Sequence, residues 1–201
     1  MLLRTYESPR ETPVICKIWE AARATSAGPG IFKRINIGRN QPYIDGGMGH
    51  NNPSQLVLDE AHSLFPTRPF GCLVSIGTGR ADVIRVERSG FCHRIISATI
   101  VSTLRAMAQD CERTHQELLR RFANTPGQYF RLNVDNGLQS RQLSEWERLD
   151  IIEAHTTQYM KKEETQSGME SLVAAMKTPI MEITVEQLGM VQCFLSFMHS
   201  S

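Results

Sequence analysis

The sequence lacks several features that would have fixed its class at once. It has no Cys-x-x-Cys pair, and its five cysteines, at 16, 72, 92, 111 and 193, form an odd set. That argues against a disulfide framework or a cysteine-rich metal site and for reduced, mostly buried thiols of an intracellular protein. Apolar runs are far shorter than a membrane span needs. Met1-Leu2-Leu3-Arg4 is no signal sequence. Neither charge is in excess: 22 Lys and Arg stand against 21 Asp and Glu, a net charge of +1. With no basic cluster interleaved with aromatics, nothing points to a nucleic-acid partner. Gly-x-Ser-x-Gly, the turn that presents a nucleophilic serine, occurs nowhere. No internal repeat or low-complexity tract is present. What remains, 41% hydrophobic and 21% charged residues over 201 positions, is the composition of a soluble globular domain with a real core.

The most informative stretch is Pro42-Tyr43-Ile44-Asp45-Gly46-Gly47-Met48-Gly49-His50-Asn51-Asn52-Pro53. Tyr43 and Ile44 read as the end of a short strand with Asp45 at its last position. Gly46, Gly47 and Gly49 allow a sharp turn and a close backbone approach. Asn52 and Pro53 read as a helix start, because Asn can accept a bond from a free amide and Pro suits the first helical position. An acid is thereby held on a rigid strand end beside bare backbone. An Asp that only bonds its own turn has the same sequence signature.

Along the chain, Leu2 to Tyr6 reads as a strand. A helix is expected from Pro13 to about Ala24, with Val14, Ile18, Ala21 and Ala22 on one face. Thr25 to Gly30 ends it with small residues and Pro29. Asn52 to Phe65 reads as a helix with Val57, Ala61 and Leu64 in a stripe, stopped by Pro66. The apolar run Phe70 to Ile76 suits a fully buried parallel strand, so strand, helix and strand predict a βαβ unit. Gly77-Thr78-Gly79 lacks the spacing and the Lys-Ser/Thr of a phosphate loop. A long helix is expected from Arg94 to Ala123, a strand from Tyr129 to Val134, and capping boxes open helices at Ser144-Glu145-Trp146-Glu147 and Thr184-Val185-Glu186-Gln187. Lys161 to Ser167 is polar and reads as a mobile connection or frayed helix end. Cys111 and His115 share a helical face, but two ligands do not make a metal site.

Three blocks in order, Ala24-Thr25-Ser26-Ala27-Gly28-Pro29, Asp45-Gly46-Gly47 and Cys72 to Gly79, resemble the C-terminal half of the patatin-like phospholipase domain, most closely its fungal members. The likeness fades from Leu3 towards the Tyr159 region. It implies a serine-aspartate dyad acting on lipid acyl esters through an acyl-serine. Asp45 would be the proton acceptor, and Gly46 and Gly47 would keep backbone close to the dyad. The serine elbow and glycine-rich oxyanion loop precede the Asp box in that family, so the resemblance implies that both lie upstream of this chain. Ser26 and Ser75 lack the first glycine of an elbow.

The expectation is therefore an α/β protein: part of a patatin-like three-layer fold with a mainly parallel sheet, followed by a helical C-terminal region. Residues 1–135 would be the acyl-hydrolase portion, with its motif core in 1–80, and residues 136–201 a helical extension. The expected function is that of a patatin-like lipid acyl hydrolase, a phospholipase or acylglycerol esterase, inactive alone for want of its nucleophile. No cofactor, metal, nucleic acid or transmembrane segment is expected. The partners are lipid acyl esters, and the location is cytoplasmic or peripheral at lipid surfaces. Two alternatives stay open: a non-catalytic remnant binding a protein through its C-terminal helices, and a subunit completed in trans.

Overall fold

The computed structural model describes residues 2–9, 11–28, 32–38, 40–79, 98–135, 149–177 and 184. Helix α1 runs Ile18–Thr25. The Glu20 carboxylate closes its first turn by accepting from the Lys17 backbone N–H at 2.7 Å. Its last turn is closed by hydroxyls: Thr25 donates to the Ala21 carbonyl at 3.1 Å and Ser26 to Ala22 at 2.8 Å, which competes with further helix. The residues before Lys17 are not helical, and the expected inward face is not the buried one. Ala24 is buried, while Ile18 is 91% exposed and Ile15 96%. The helix meets its neighbour, strand β1 (Ile35–Ile37), where alanine is small enough to permit close approach.

Strand β1 pairs antiparallel with β2 (Gln41–Tyr43) in the register Ile35 opposite Tyr43. Gly38 (φ 64°) and Asn40 (φ 59°) take the left-handed backbone of the connecting turn, which these two residue types tolerate best. Asp45 therefore lies two residues beyond a hairpin strand. The hairpin replaces the first strand of the anticipated βαβ unit. Residues 2–6 form no strand either. They are held by Arg4, which donates to the Glu60 carboxylate through both Nε (2.6 Å) and Nη2 (2.8 Å) and to Glu11 at 2.8 Å.

Helix α2 (Gly47–His50) is a single turn, and α3 (Ser54–Leu64) follows. The expected stripe is rotated by one residue: Leu58 is buried and Ala61 packs on the core, while Val57 faces outward. Pro66, lacking an N–H, follows the end of the helix as anticipated. Strand β3 (Leu73–Ile76) then pairs in parallel with β4 (Tyr129–Leu132), Leu73 opposite Tyr129 and Ser75 opposite Arg131, with α4 (Ala98–Arg121) lying between them in the chain. Mixed α/β structure with a parallel pair is thus present, but the pair is β3 with β4, not β2 with β3. Leu73 and Ser75 are buried, whereas Ile76 is 76% exposed. The strand is covered on one face among the described residues, not on both.

The apolar core is Leu58, Phe70, Leu73, Leu118 and Phe122, with Ala61 and Tyr129 against it. Phe122 stacks between Phe70 and Tyr129, its ring centroid 5.6 and 5.8 Å from theirs, a separation at which aromatic pairs attract beyond mere burial. It joins α3, α4 and one face of the sheet. Helix α5 (Leu149–Met160) and α6 (Glu163–Lys177) follow, and α6 packs on β4. Of the stretch Lys161 to Ser167, expected as a mobile connection or frayed helix end, only Lys161 and Lys162 connect α5 to α6, and Glu163 to Ser167 are the start of α6. Glu163 and Glu164 in its first turn complement the helix dipole, and Thr165 is buried. Among the described residues no helix is long and apolar enough to cross a membrane. The capping box at 144–147 and the helix expected after Thr184 lie outside the described residues. Thr184 itself forms an antiparallel bridge with Pro69.

Candidate functional site

Asp45 is fixed by its neighbours on both sides. Its backbone N–H donates to the Ala27 carbonyl at 3.3 Å, tying the box to the small-residue block after α1. Its carbonyl accepts from Met48 N–H at 3.1 Å, which begins α2. In the side chain, Oδ1 accepts the Gly47 N–H at 2.8 Å, and Oδ2 has no hydrogen-bond partner among the described residues. The half-buried carboxylate is thus oriented through one oxygen and open at the other. That is the arrangement of a base able to take a proton, and equally of an acid completing its own turn.

The glycines of the box differ. Gly46 has right-handed helical backbone (φ −60°), and a Cβ on it would meet nothing within 4 Å. Neither positive φ nor close approach accounts for it. At Gly47 a Cβ would come within 2.7 Å of Met107 Cε on α4 and 3.3 Å of Asp45 Oδ1. Close approach is therefore the reason for glycine at 47 alone.

The exit from the box is held by a buried polar cluster. Asn52, 3% exposed, accepts at Oδ1 from Ser54 N–H (3.3 Å), Ser54 Oγ (2.7 Å) and Ser75 Oγ (3.3 Å). Its Nδ2 donates to the Cys111 carbonyl of α4 at 3.3 Å. Arg131 Nη1 donates to Ser75 Oγ at 2.7 Å, and Ser54 Oγ lies 2.9 Å from the same oxygen. Asn51 Nδ2 donates to Cys111 Sγ at 3.2 Å. Asn52 accepts from the N–H of Ser54, the first residue of α3, but the N-cap falls on Pro53, one residue later than the sequence suggests, and the reach of Asn52 to β3 and α4 was not legible. Only the strand register that brings Ser75 beside Arg131 puts those groups within bonding distance.

Each other sequence candidate has a local partner. Ser26 lies on the exposed turn after α1, where its hydroxyl donates to the Ala22 carbonyl and has no glycine before it to form an elbow, and Ser75 is buried in the cluster. Cys111 and His115 do not converge: Cys111 meets Asn51, and His115 Nδ1 lies 2.9 Å from Tyr129 Oη. No group of three His, Cys, Asp or Glu side chains suited to a metal occurs among the described residues. Burial pushes the Cys72, Cys111 and Tyr129 groups up, holding them neutral. At the Gly77-Thr78-Gly79 loop the Gly79 N–H donates to Asn133 Oδ1 at 2.9 Å. A Cβ on Gly77 would collide with Asn133 and would lie 2.7 Å from Arg131 Nη2. Gly77 thus makes room for side chains of β4 and the residues after it.

No family model and no solved structure matches the chain. Among curated proteins it is 33% identical over 152 residues to the calcium-independent phospholipase A2-gamma of Oryctolagus cuniculus, covering 74% of this chain and 18% of that protein. It is 31% identical over 121 residues to phospholipase A I of Arabidopsis thaliana, 59% of this chain and 9% of the relative. It is 30% identical over 168 residues to patatin-like phospholipase 1 of Plasmodium falciparum, 71% of this chain and 24% of the relative. The relatives are phospholipases of the patatin-like kind, and the chain spans less than a quarter of the length of each of these three.

Proposed function

We propose that this chain is part of a patatin-like lipid acyl hydrolase and supplies the aspartate of its Ser-Asp dyad. The observation that carries this is the Asp45 carboxylate, oriented by Gly47 N–H at Oδ1 and open at Oδ2, in a box whose flanking blocks resemble that family. In this reading residues 1–135 are the hydrolase portion and residues 136–201 a helical extension. The likeness to fungal members rests on the sequence blocks alone.

The chemistry follows from what a hydroxyl needs. A serine Oγ attacks the ester carbonyl only as a base removes its proton. Asp45 Oδ2 would take that proton and return it to the departing alcohol, leaving an acyl-serine. The same carboxylate would then draw a proton from water as it attacks the acyl group and return it to the serine Oγ as the fatty acid is released, restoring both members of the dyad. The sequence holds no Gly-x-Ser-x-Gly to offer a nucleophile for the first step, so the chain alone is expected to be inactive and to take no stoichiometric fluorophosphonate label. In a protein that also carries the serine elbow, Asp45→Asn should lower turnover by at least about a hundredfold, the usual contribution of a positioned base. Near-normal turnover with an unchanged melting temperature would remove Asp45 from the role.

A second reading is favoured by one observation. Ile15, Ile18, Trp19, Ile44 and Ile76 are all exposed, and large apolar side chains of this kind are what a partner would bury. In this reading the nucleophile-bearing half covers that surface and is supplied in trans by another polypeptide. Co-purification in equal amounts with a chain bearing Gly-x-Ser-x-Gly is the expected result. A monodisperse chain that binds no such polypeptide would sink it.

A further inference from the structure

The apolar core does not explain why Asn52, Ser54, Ser75 and Arg131 meet at one end of the sheet. A buried polar group without a partner costs stability, and a fully partnered cluster fixes one geometry. In this cluster the geometry is set from the strand side. Arg131 can only donate, so Ser75 Oγ must accept from it at 2.7 Å. The Ser75 proton is then left for Asn52 Oδ1 at 3.3 Å or for Ser54 Oγ at 2.9 Å, which itself donates to Asn52 Oδ1 at 2.7 Å. Ser54 N–H and Oγ also approach Oδ1, which turns Nδ2 towards the Cys111 carbonyl. The amide has one satisfied orientation. Reversing it would place a donor against Ser54 N–H and a carbonyl against a carbonyl.

Asn52 is also where the Asp box ends. The box is held at its entry by Asp45 N–H on the Ala27 carbonyl and at its middle by the approach of Gly47 to Met107. Its exit is held by Asn51 and Asn52 on α4 and, through Ser75, on β3 and β4. Backbone with helical φ and one exposed short turn has little of its own to keep it in place. We propose that Asn52, oriented by Ser75 and Arg131, is the positioning residue of the Asp45 turn: it fixes the turn against the sheet and α4, and thereby the Gly47 N–H that aims the carboxylate. The catalytic meaning rests on the reading of Asp45 as the base; the positioning does not.

The test uses the 201-residue chain and the amide signals of Gly47, Leu73 and Gly77. Leu73 and Gly77 donate to the Gln128 and Leu132 carbonyls across the parallel pair and report on the sheet itself. In Asn52→Ala the Gly47 amide should shift and exchange about tenfold faster relative to Leu73 and Gly77, the loss expected for one well-placed buried hydrogen-bonding group. Arg131→Met should move Gly47 in the same direction by a smaller factor, and Arg131→Lys, which keeps a donor for Ser75, should restore it. An unmoved Gly47 in either Asn52→Ala or Arg131→Met overturns the proposal. So does acceleration of all three amides by one factor, which would make Asn52 merely structural. The Arg131 pair decides the matter if Asn52→Ala does not fold. Loss of the base reading through Asp45→Asn in the complete protein would leave the Gly47 result standing, and an unmoved Gly47 would leave the base reading standing.

Discussion

One face of one small sheet carries two unlike regions. Leu73 and Tyr129 stand opposite each other in the apolar core with Phe70, Leu118 and Phe122. Two residues further along the same strands, Ser75 and Arg131 stand opposite each other in the polar cluster with Asn52 and Ser54. Side chains alternate along a strand, so the register that buries the first pair places the second beside it. The core is non-directional: it holds α3 and α4 against the sheet but would tolerate small shifts. The cluster is directional and holds one turn, the Asp45 box, at one angle. Stability and site geometry are thus assigned to neighbouring positions of the same strands.

The sharpest way to break that division is through Leu118, which is fully buried where α4 meets the core. Leu118→Ala should destabilise the chain by about 2–5 kcal/mol, the transfer loss plus the cavity it leaves. The change should appear in a denaturant melt as a lower midpoint with no selective effect on the Gly47 amide. A loss below about 1 kcal/mol would mean that the α4 contact collapses freely and is no core in the sense of close packing.

A weaker effect, and one confined to the edge, is expected on acidification. Arg4 holds the Glu11 carboxyl below its ordinary value of 4.5, first through their hydrogen bond. A carboxyl lowered on folding contributes stability above its unfolded value and loses it as the pH falls through the folded value. Below about pH 4.5 the Arg4–Glu11 contact within the N-terminal segment should therefore begin to be lost, while the core and the cluster remain. Arg4→Met should remove most of that pH dependence. Equal acid sensitivity in parent and variant, followed by the Tyr6 ring signals, would show that the segment is held otherwise.

The smallest effects compare the two glycines of the box. Gly46→Ala should be neutral or stabilising by up to about 1 kcal/mol, because the backbone is already helical and the added methyl meets open space. Gly47→Ala should cost about 1 kcal/mol or less in stability, since the Met107 terminus can swing aside. It should nevertheless displace the Asp45 carboxylate, whose Oδ1 lies 3.3 Å from the new carbon. The Asp45 carboxyl carbon shift reads this directly. Equal shifts in both variants would mean that the glycines are interchangeable.

The sequence by itself determined the elements whose causes are local. The periodicity after Arg94 sets α4, Asn52 and Pro53 set the start of α3, Pro66 follows its end, and the β-rich runs at Leu73 and Tyr129 set the parallel strands. Asp45 followed by two glycines was legible as a held acid for the same reason: a turn of this kind is made by residues in contact along the chain. Pairing was not legible. Nothing local chooses whether Tyr43 joins β3 or turns back on Ile35, and Gly38 with Asn40 decided for the hairpin only together with its packing on α1. The burial of Leu58 in place of Val57, the exposure of Ile18 and the helical start at Glu163 likewise depended on which neighbour arrived. The Asn52–Ser75–Arg131 cluster lay furthest from reach. Its members are separated by 23 and 56 residues, and a hydrogen bond between them exists only once the parallel register has brought two strands and a helix to the same place.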